Sequence, residues 1–287
     1  MSYFKQVEQK LKKSSGVRIL LLDSQNEKVK QAVRSIGILS NIKFFKLEDL
    51  IDIKNIKEEE NNLARFIELM NGTFNYESTK KLFATNKTLF HSLVLLKEKR
   101  IDGIIGGLTS SFETFVDSLK SSLSYLNEDK IISFVSFAQN EEKHFFMSYT
   151  NEAKKNEVNL LSQVALNLNE YKKEISDLGD LVLLNKDLNQ SKLLEVIKNI
   201  DPSIKVQNQV RLSEALDTNQ NWLIFANKNT YDVSYDIISL ISKYETSGQI
   251  FLGVKENIAH ISENLSVEDI KNTIYLVAQR AQGRKHE

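Results

Sequence analysis

Two short stretches of the chain carry residue types that can do chemistry. Gly106 and Gly107 follow an apolar run and lead into Thr109, Ser110 and Ser111. Backbone N–H groups in such a turn, at the start of a helix, can cradle a phosphate. The same order also describes a tight turn closed by a serine cap, the simpler reading of a glycine pair after a strand. Further along, Ser266 and Asp269 form an S-x-x-D pattern at the head of an apolar series, Val267, Ile270, Ile274, Val277 and Ala281. A serine there accepts from a backbone N–H and the acid suits the positive end of the helix dipole, so capping accounts for both without catalysis.

Several chemistries are excluded by composition. The chain has no cysteine, which removes disulfides, thiolate nucleophiles and thiolate metal sites together. His91, His144, His260 and His286 are scattered without metal-ligand spacing, so they read as isolated residues and no metal is expected. With 38 basic and 38 acidic residues there is no net charge to attract nucleic acid or anionic lipid. No dinucleotide-binding glycine fingerprint is present, which sets an oxidoreductase reading well behind.

The elements that must position these residues alternate between short apolar runs and helical patterns, the mark of an α/β fold with parallel strands. Val17–Leu22 reads as a buried strand, Val29 to Ile36 as a helix face, and Ile42–Phe45 as a second strand. From Asp49 to Met70 the pattern is helical and charged, and the run Lys57–Asn62 reads as a solvated helix face. A helix through Leu89, Leu93, Leu95 and Leu96 precedes a strand at Ile101–Ile105. Ile131–Phe137 and His144–Tyr149 predict a hairpin closed by the polar turn Gln139–Glu142. Beyond it come a long helix over Glu157–Ile175, a strand at Leu181–Leu184, a helix at Ser191–Ile200 and a short strand near Ile204–Val206. Trp222–Phe225 and Ile250–Val254 are further strands, flanking a helix with Val233, Ile237, Ile238 and Ile241, and a helix over Ser266–Arg280 closes the chain. The amphipathic Met1–Lys13 lacks a signal peptide's apolar region, and no stretch has the length of apolar residues that spans a membrane. No membrane insertion and a cytoplasmic location are therefore expected.

One segment is specific enough to name a family. Gly253–Ala281, GVKENIAHISENLSVEDIKNTIYLVAQRA, resembles the C-terminal end of phosphate acetyltransferases and phosphate butyryltransferases, where a loop carrying Asp-Leu-Ser-Arg-Gly precedes a helix beginning Val-Glu-Asp-Ile and continuing Asn-Thr-Ile. The match needs no gap. Ile101–Lys120, IDGIIGGLTSSFETFVDSLK, is similar to a second family stretch, a strand Ala-Asp-Gly-Leu-Val-Ser-Gly-Ala and a helix start Ser-Thr-x-Asp-Thr-x-Arg. The resemblance implies a two-lobed α/β fold, also seen in isocitrate and isopropylmalate dehydrogenases, with sheets flanked by helices and an active-site-like cleft between lobes. Residues 1–128 with 255–287 form the first expected lobe and 129–254 the second.

The family moves an acyl group between coenzyme A and phosphate. The resemblance implies Asp269 as the base for the thiol and Ser262 as the loop serine, with arginines holding phosphate. In this chain Glu263 stands for the loop arginine, Asn264 for the following glycine and Asp117 for the arginine of the second motif. The family's Asn-Pro-Asn-Pro turn has no counterpart in Thr150–Glu157, its hydroxyl-rich loop is replaced at Leu183–Ser191, and its Asp-Gly-Glu-Leu-Gln segment reads QNQVR at Gln207–Arg211. Acyl transfer needs fixed positive charge beside an oxyanion and a dianionic leaving group. The expectation is therefore a phosphate acetyltransferase-like protein without effective acyl transfer, a pseudoenzyme needing no cofactor and acting through protein–protein interaction as a homodimer or complex subunit. The alternative is an active phosphate acyltransferase using coenzyme A and an acyl phosphate.

Overall fold

The computed structural model describes residues 2–37, 40–51, 56–69, 76–152, 157–175, 177, 179–184, 190–209, 211–217, 221–241 and 244–285. Strands too short to be helices, most of them apolar and buried on both faces, pair into one mixed sheet. Its strands are β1 (Val17–Leu21), β2 (Ile42–Phe45), β3 (Gly103–Gly106), β4 (Ser133–Gln139), β5 (His144–Tyr149), β6 (Leu181–Leu184), β7 (Val206–Gln209), β8 (Trp222–Phe225), β9 (Glu245–Thr246), β10 (Gln249–Leu252) and β11 (Ile258–His260). The spatial order is β2-β1-β3-β11-β10-β4-β5-β8-β6-β7, with β9 paired beside β4. Each end of the sheet is parallel, and the middle is antiparallel where β10 joins β11 to β4 and β4 joins β5.

The period-two alternation of each strand splits its side chains between two cores. Ile19 and Leu21 point to one face, under α1 (Tyr3–Lys12), α2 (Glu27–Ile36), α7 (Glu157–Glu174), α8 (Gln190–Ile200) and α11 (Val267–Gly283). Leu20, Ile104 and Ile258 point to the other, under α5 (Lys87–Lys97), α6 (Phe112–Lys120) and α10 (Lys228–Asp236). Helices α3 (Ile56–Leu69), α4 (Tyr76–Thr85) and α9 (Leu212–Asp217) complete the set. Among the described residues no helix is long and apolar enough to cross a membrane.

The expected elements form with shifts of a few residues at their ends. The structure adds β9, β11, α4 and α9, and in place of a helical pattern over Asp49–Met70 it has a 3-10 turn at Leu47–Asp49 followed by α3. One expectation is overturned. Asn62, expected on a solvated face, is buried and its Nδ2 lies 3.4 Å from His91 Nδ1. A charge-rich stretch does not report which of its members turns inward. The replaced stretches at 150–157 and 183–191 fall largely on 153–156 and 185–189, outside the described residues, as does His286.

Helix α11 is the keel of the fold. Its Arg280, 1% exposed, donates through Nε to Glu174 Oε2 of α7 at 2.6 Å and through a terminal nitrogen to the Phe251 carbonyl at 2.6 Å. Arg284 reaches the other oxygen of Glu174 at 2.6 Å. Burial pushes the Glu174 carboxyl up, but Arg280 and Arg284 outweigh it and hold it below the usual carboxylate range.

Candidate functional site

A cleft of about 540 Å³ opens beside the N-terminus of α11, at the C-terminal end of β11. Its lining brings together Ser262, Ser266 and Asp269 with His260, the start of α6 and the end of α10. The two residues that the family resemblance singled out, Ser262 and Asp269, thus face one space. Ligands of open α/β sheets bind at this end of the strands.

Asp269 is fully engaged as an acceptor. Its Oδ1 accepts from the Thr246 backbone N–H at 2.8 Å and from Thr246 Oγ1 at 3.0 Å. Its Oδ2 accepts from the Ser266 N–H at 2.9 Å and from Ser266 Oγ at 2.6 Å, while Ser266 Oγ accepts from the Asp269 N–H at 3.1 Å. This is a capping box for α11 extended onto β9, and it occupies all four lone-pair directions of the carboxylate. The next turn continues the stitching. Asn272 Nδ2 donates to the Thr246 carbonyl at 3.0 Å, and the Gly248 N–H donates to Thr273 Oγ1 at 2.7 Å. The Asn-Thr pair that carries the resemblance therefore holds α11 to the β9–β10 segment.

The glycine turn is a packed junction. An added Cβ at Gly106 would lie 2.7 Å from Leu22 Cβ, and one at Gly107, where φ is +121°, would lie 2.2 Å from His260 Cδ2. The amides that might hold a phosphate are committed to a carboxylate: Asp23 Oδ2 accepts from the N–H of Gly107 at 2.8 Å and of Leu108 at 3.1 Å. The Ser110 N–H closes back onto the Gly107 carbonyl at 3.2 Å, and Ser111 caps α6 by accepting from the Thr114 N–H at 3.2 Å. Gly106, Gly107, Ser110 and Ser111 do not line the cleft.

The substituted positions turn outward. Asp117 is exposed and paired with Lys120 at 3.3 Å, and Glu263 is exposed on its loop. Lys28 Nζ reaches that loop, yet it donates to the carbonyls of Glu263 at 2.7 Å and Leu265 at 3.0 Å and does not line the cleft. Lys255 lies in a different cavity. Among the described residues lining the cleft there are two carboxylates, Asp236 and Asp269, and no lysine or arginine. No group of three or more His, Asp or Glu among the described residues is placed to hold a metal.

Two residues of the site escaped the reading of the sequence. Asp23 follows an apolar run and carries no local mark of a role, and only the pairing of β1 with β3 brings it under the Gly107 amide. His260 looked like an isolated histidine, but it is buried between Phe112 and Phe115, with ring centroids 5.1 and 5.3 Å away. Burial lowers its pKa to about 4, so the ring is neutral. Its signal was present in the ungapped motif, where it stands in place of the aspartate that opens Asp-Leu-Ser-Arg-Gly.

The sheet order, the cleft at the head of the last helix and the ungapped motif together define a phosphotransacylase-type α/β fold. Comparison with solved structures bears this out over nearly the whole chain. A phosphotransacetylase from Streptococcus pyogenes matches at a TM-score of 0.71 and 16% identity, covering 98% of this chain and 99% of the other. A branched-chain phosphotransacylase from Enterococcus faecalis V583 matches at 0.58 and 10% identity, covering 92% and 99%. The likeness of fold extends to a 4-hydroxythreonine-4-phosphate dehydrogenase from Klebsiella pneumoniae at 0.55 and 6% identity, covering 94% and 98%. No protein-family model and no curated protein sequence matches the chain. At these identities the likeness establishes the fold, and function must be argued from the site.

Proposed function

We propose that this chain is a phosphate acyltransferase-like protein that has lost effective acyl transfer and works as a partner-binding or structural component, as a homodimer or within a complex. The observation that carries this reading is the charge of the cleft: Asp236 and Asp269 line it, and no cation does among the described residues. Acyl transfer between coenzyme A and phosphate leaves a phosphate dianion and passes through an oxyanion, both of which need fixed positive charge. At an effective dielectric near 20 a charge pair about 4 Å apart is worth roughly 4 kcal/mol, which is forgone where no cation faces the anion. That corresponds to roughly three decades in rate.

Two further features support the reading. Asp269 spends its lone pairs on Thr246 and Ser266, leaving none directed at a thiol. Leu240, which lines the cleft, is 77% exposed, and Val233 and Ile237 before it are 61% and 45% exposed at i and i+4 of α10 and the π-helical turn that follows, an apolar stripe suited to another protein surface. The division into lobes of 1–128 with 255–287 and of 129–254 is part of the same proposal.

The test is turnover of acetyl phosphate with coenzyme A, followed by thioester absorbance. No turnover above the uncatalysed rate is expected. Protein-dependent thioester formation would establish the active alternative, with coenzyme A and acyl phosphate as substrates. Light scattering on the purified chain reports whether it self-associates.

A further inference from the structure

The strands β1, β3 and β11 run parallel, so the cleft occupies their C-terminal ends and the opposite edge of the sheet collects the residues that precede them. At that edge lies a second cavity of about 680 Å³. Arg18, Lys97, Lys99, Lys255, Arg284 and Lys285 line it, against only two carboxylates, Asp102 and Glu256. The whole chain is neutral, with 38 charges of each sign, so this excess is produced by the topology that gathers residues from both ends of the chain.

Part of the charge is spent internally. Asp102 accepts from Arg18 Nε at 3.1 Å and pairs with Lys285 at 3.3 Å, and Lys97 pairs with Glu256. Arg284 goes to Glu174, a carboxylate already shared with Arg280. Among the described residues Lys99 and Lys255 have no carboxylate partner, and both are exposed at the rim. The C-terminal ends of α5 and α11 also abut the cavity, and each contributes about half a negative charge. That removes roughly one unit from an excess of four, leaving about three positive charges around a single concavity.

We propose that this cavity is a binding site for a compact polyanion, a small molecule carrying two or more linked phosphate groups. Arg18 and Lys97, held in place by Asp102 and Glu256, form a fixed floor. Lys99 and Lys255 supply movable ammonium groups at the rim. The volume falls within the range of roughly 300–1,000 Å³ typical of small-ligand sites. Because the whole chain is neutral, the remainder outside the cavity carries four more acidic than basic residues, which disfavours a nucleic-acid backbone running beyond it. The site stands at the other edge of the sheet from the cleft, so it holds whether or not the cleft is catalytically silent.

The experiment is calorimetric titration of the full chain with pyrophosphate and with ATP, with inorganic phosphate as the singly phosphorylated comparison, at low and moderate salt. Submillimolar binding of pyrophosphate and ATP, weaker binding of inorganic phosphate and a loss of affinity with salt are expected. The double variant Lys99→Glu, Lys255→Glu should weaken binding by about a hundredfold, roughly tenfold for each ammonium lost. A charge-matched control, Lys5→Glu with Lys198→Glu on exposed helix faces, should stay within about threefold. Thermal unfolding of both variants shows that each remains folded. Absence of binding by either polyphosphate, an equal loss in the control, or binding only of a nucleic acid or acidic peptide would overturn the proposal.

Discussion

Replacing Asp269 by asparagine separates a structural from a catalytic role for the residue that the family resemblance makes the base. The carboxylate accepts four hydrogen bonds, two from Thr246 and two from Ser266, at 2.6 to 3.0 Å. Asparagine keeps one acceptor oxygen and turns an NH₂ group toward the other pair of donors. At least one backbone N–H, of Thr246 or Ser266, then loses its acceptor, and the helix loses a negative charge at its N-terminus. A hydrogen bond to a charged group is worth about 1.5–3 kcal/mol and the dipole contribution about 0.3–1 kcal/mol. Because Asp269 is only half-buried, water recovers some of this, and a net loss of about 2–3 kcal/mol is expected. For 287 residues the unfolding entropy near the midpoint is about 600 cal/mol/K, so the midpoint should fall by about 4 °C. Ser266→Ala should cost about 1 kcal/mol, and the double variant less than the sum, since one capping box is being removed twice. Thermal and urea unfolding measure all three. An Asp269→Asn protein within about 0.5 kcal/mol of the parent, or strict additivity with Ser266→Ala, would refute the capping argument and return the residue to catalysis.

Other consequences follow from the same contacts. Gly107→Ala places a Cβ against His260 at a backbone angle of +121°, so a loss above about 3 kcal/mol is expected, seen as a midpoint drop of about 5 °C or failure to accumulate soluble protein. His260 has its pKa lowered to about 4 by burial, below its unfolded value near 6.5. The unfolded chain therefore binds the proton first as pH falls, and between pH 7 and 5 this residue should cost the fold about 2 kcal/mol. His260→Phe keeps a ring among Phe112 and Phe115 and should flatten that part of the pH–stability curve; an unchanged slope would show the ring is not buried neutral. Arg280→Met leaves the Phe251 carbonyl without its donor and Glu174 with Arg284 alone, at an expected loss of about 3 kcal/mol in urea unfolding at pH 7. Since the Glu174 carboxyl is held below its usual range, its stabilisation is present above the unfolded value and lost as pH falls through the folded one. The variant should lose acid sensitivity in that window.

The identity of most elements was legible in the sequence because the strands are buried on both faces and the helices on one. Leu181–Leu184 and Trp222–Phe225 are continuous apolar segments, Val17–Leu21 is apolar but for Arg18, and the apolar spacing of Val267 to Ala281 is the inner face of α11. The capping box at Ser266 and Asp269 was legible for the same reason, as its partners lie three residues apart. These are short-range patterns, and the solvent imposes them locally. What required the tertiary structure depended on partners remote in the chain. The three residues of β11 lie between β10 and β3, the latter about 150 positions earlier, and the pairing with β3 sets His260 beside Gly106 and against the α-carbon of Gly107. Asp23 fills the amide cradle from the adjoining strand, a relation no spacing encodes. Charge shows the difference most plainly. Equal totals of acid and base implied no polyanion surface, whereas folding leaves carboxylates in one cavity and a surplus of cations in the other. Net charge is a sum over the chain, but a ligand responds to the field at one place, and only the topology decides which charges meet there.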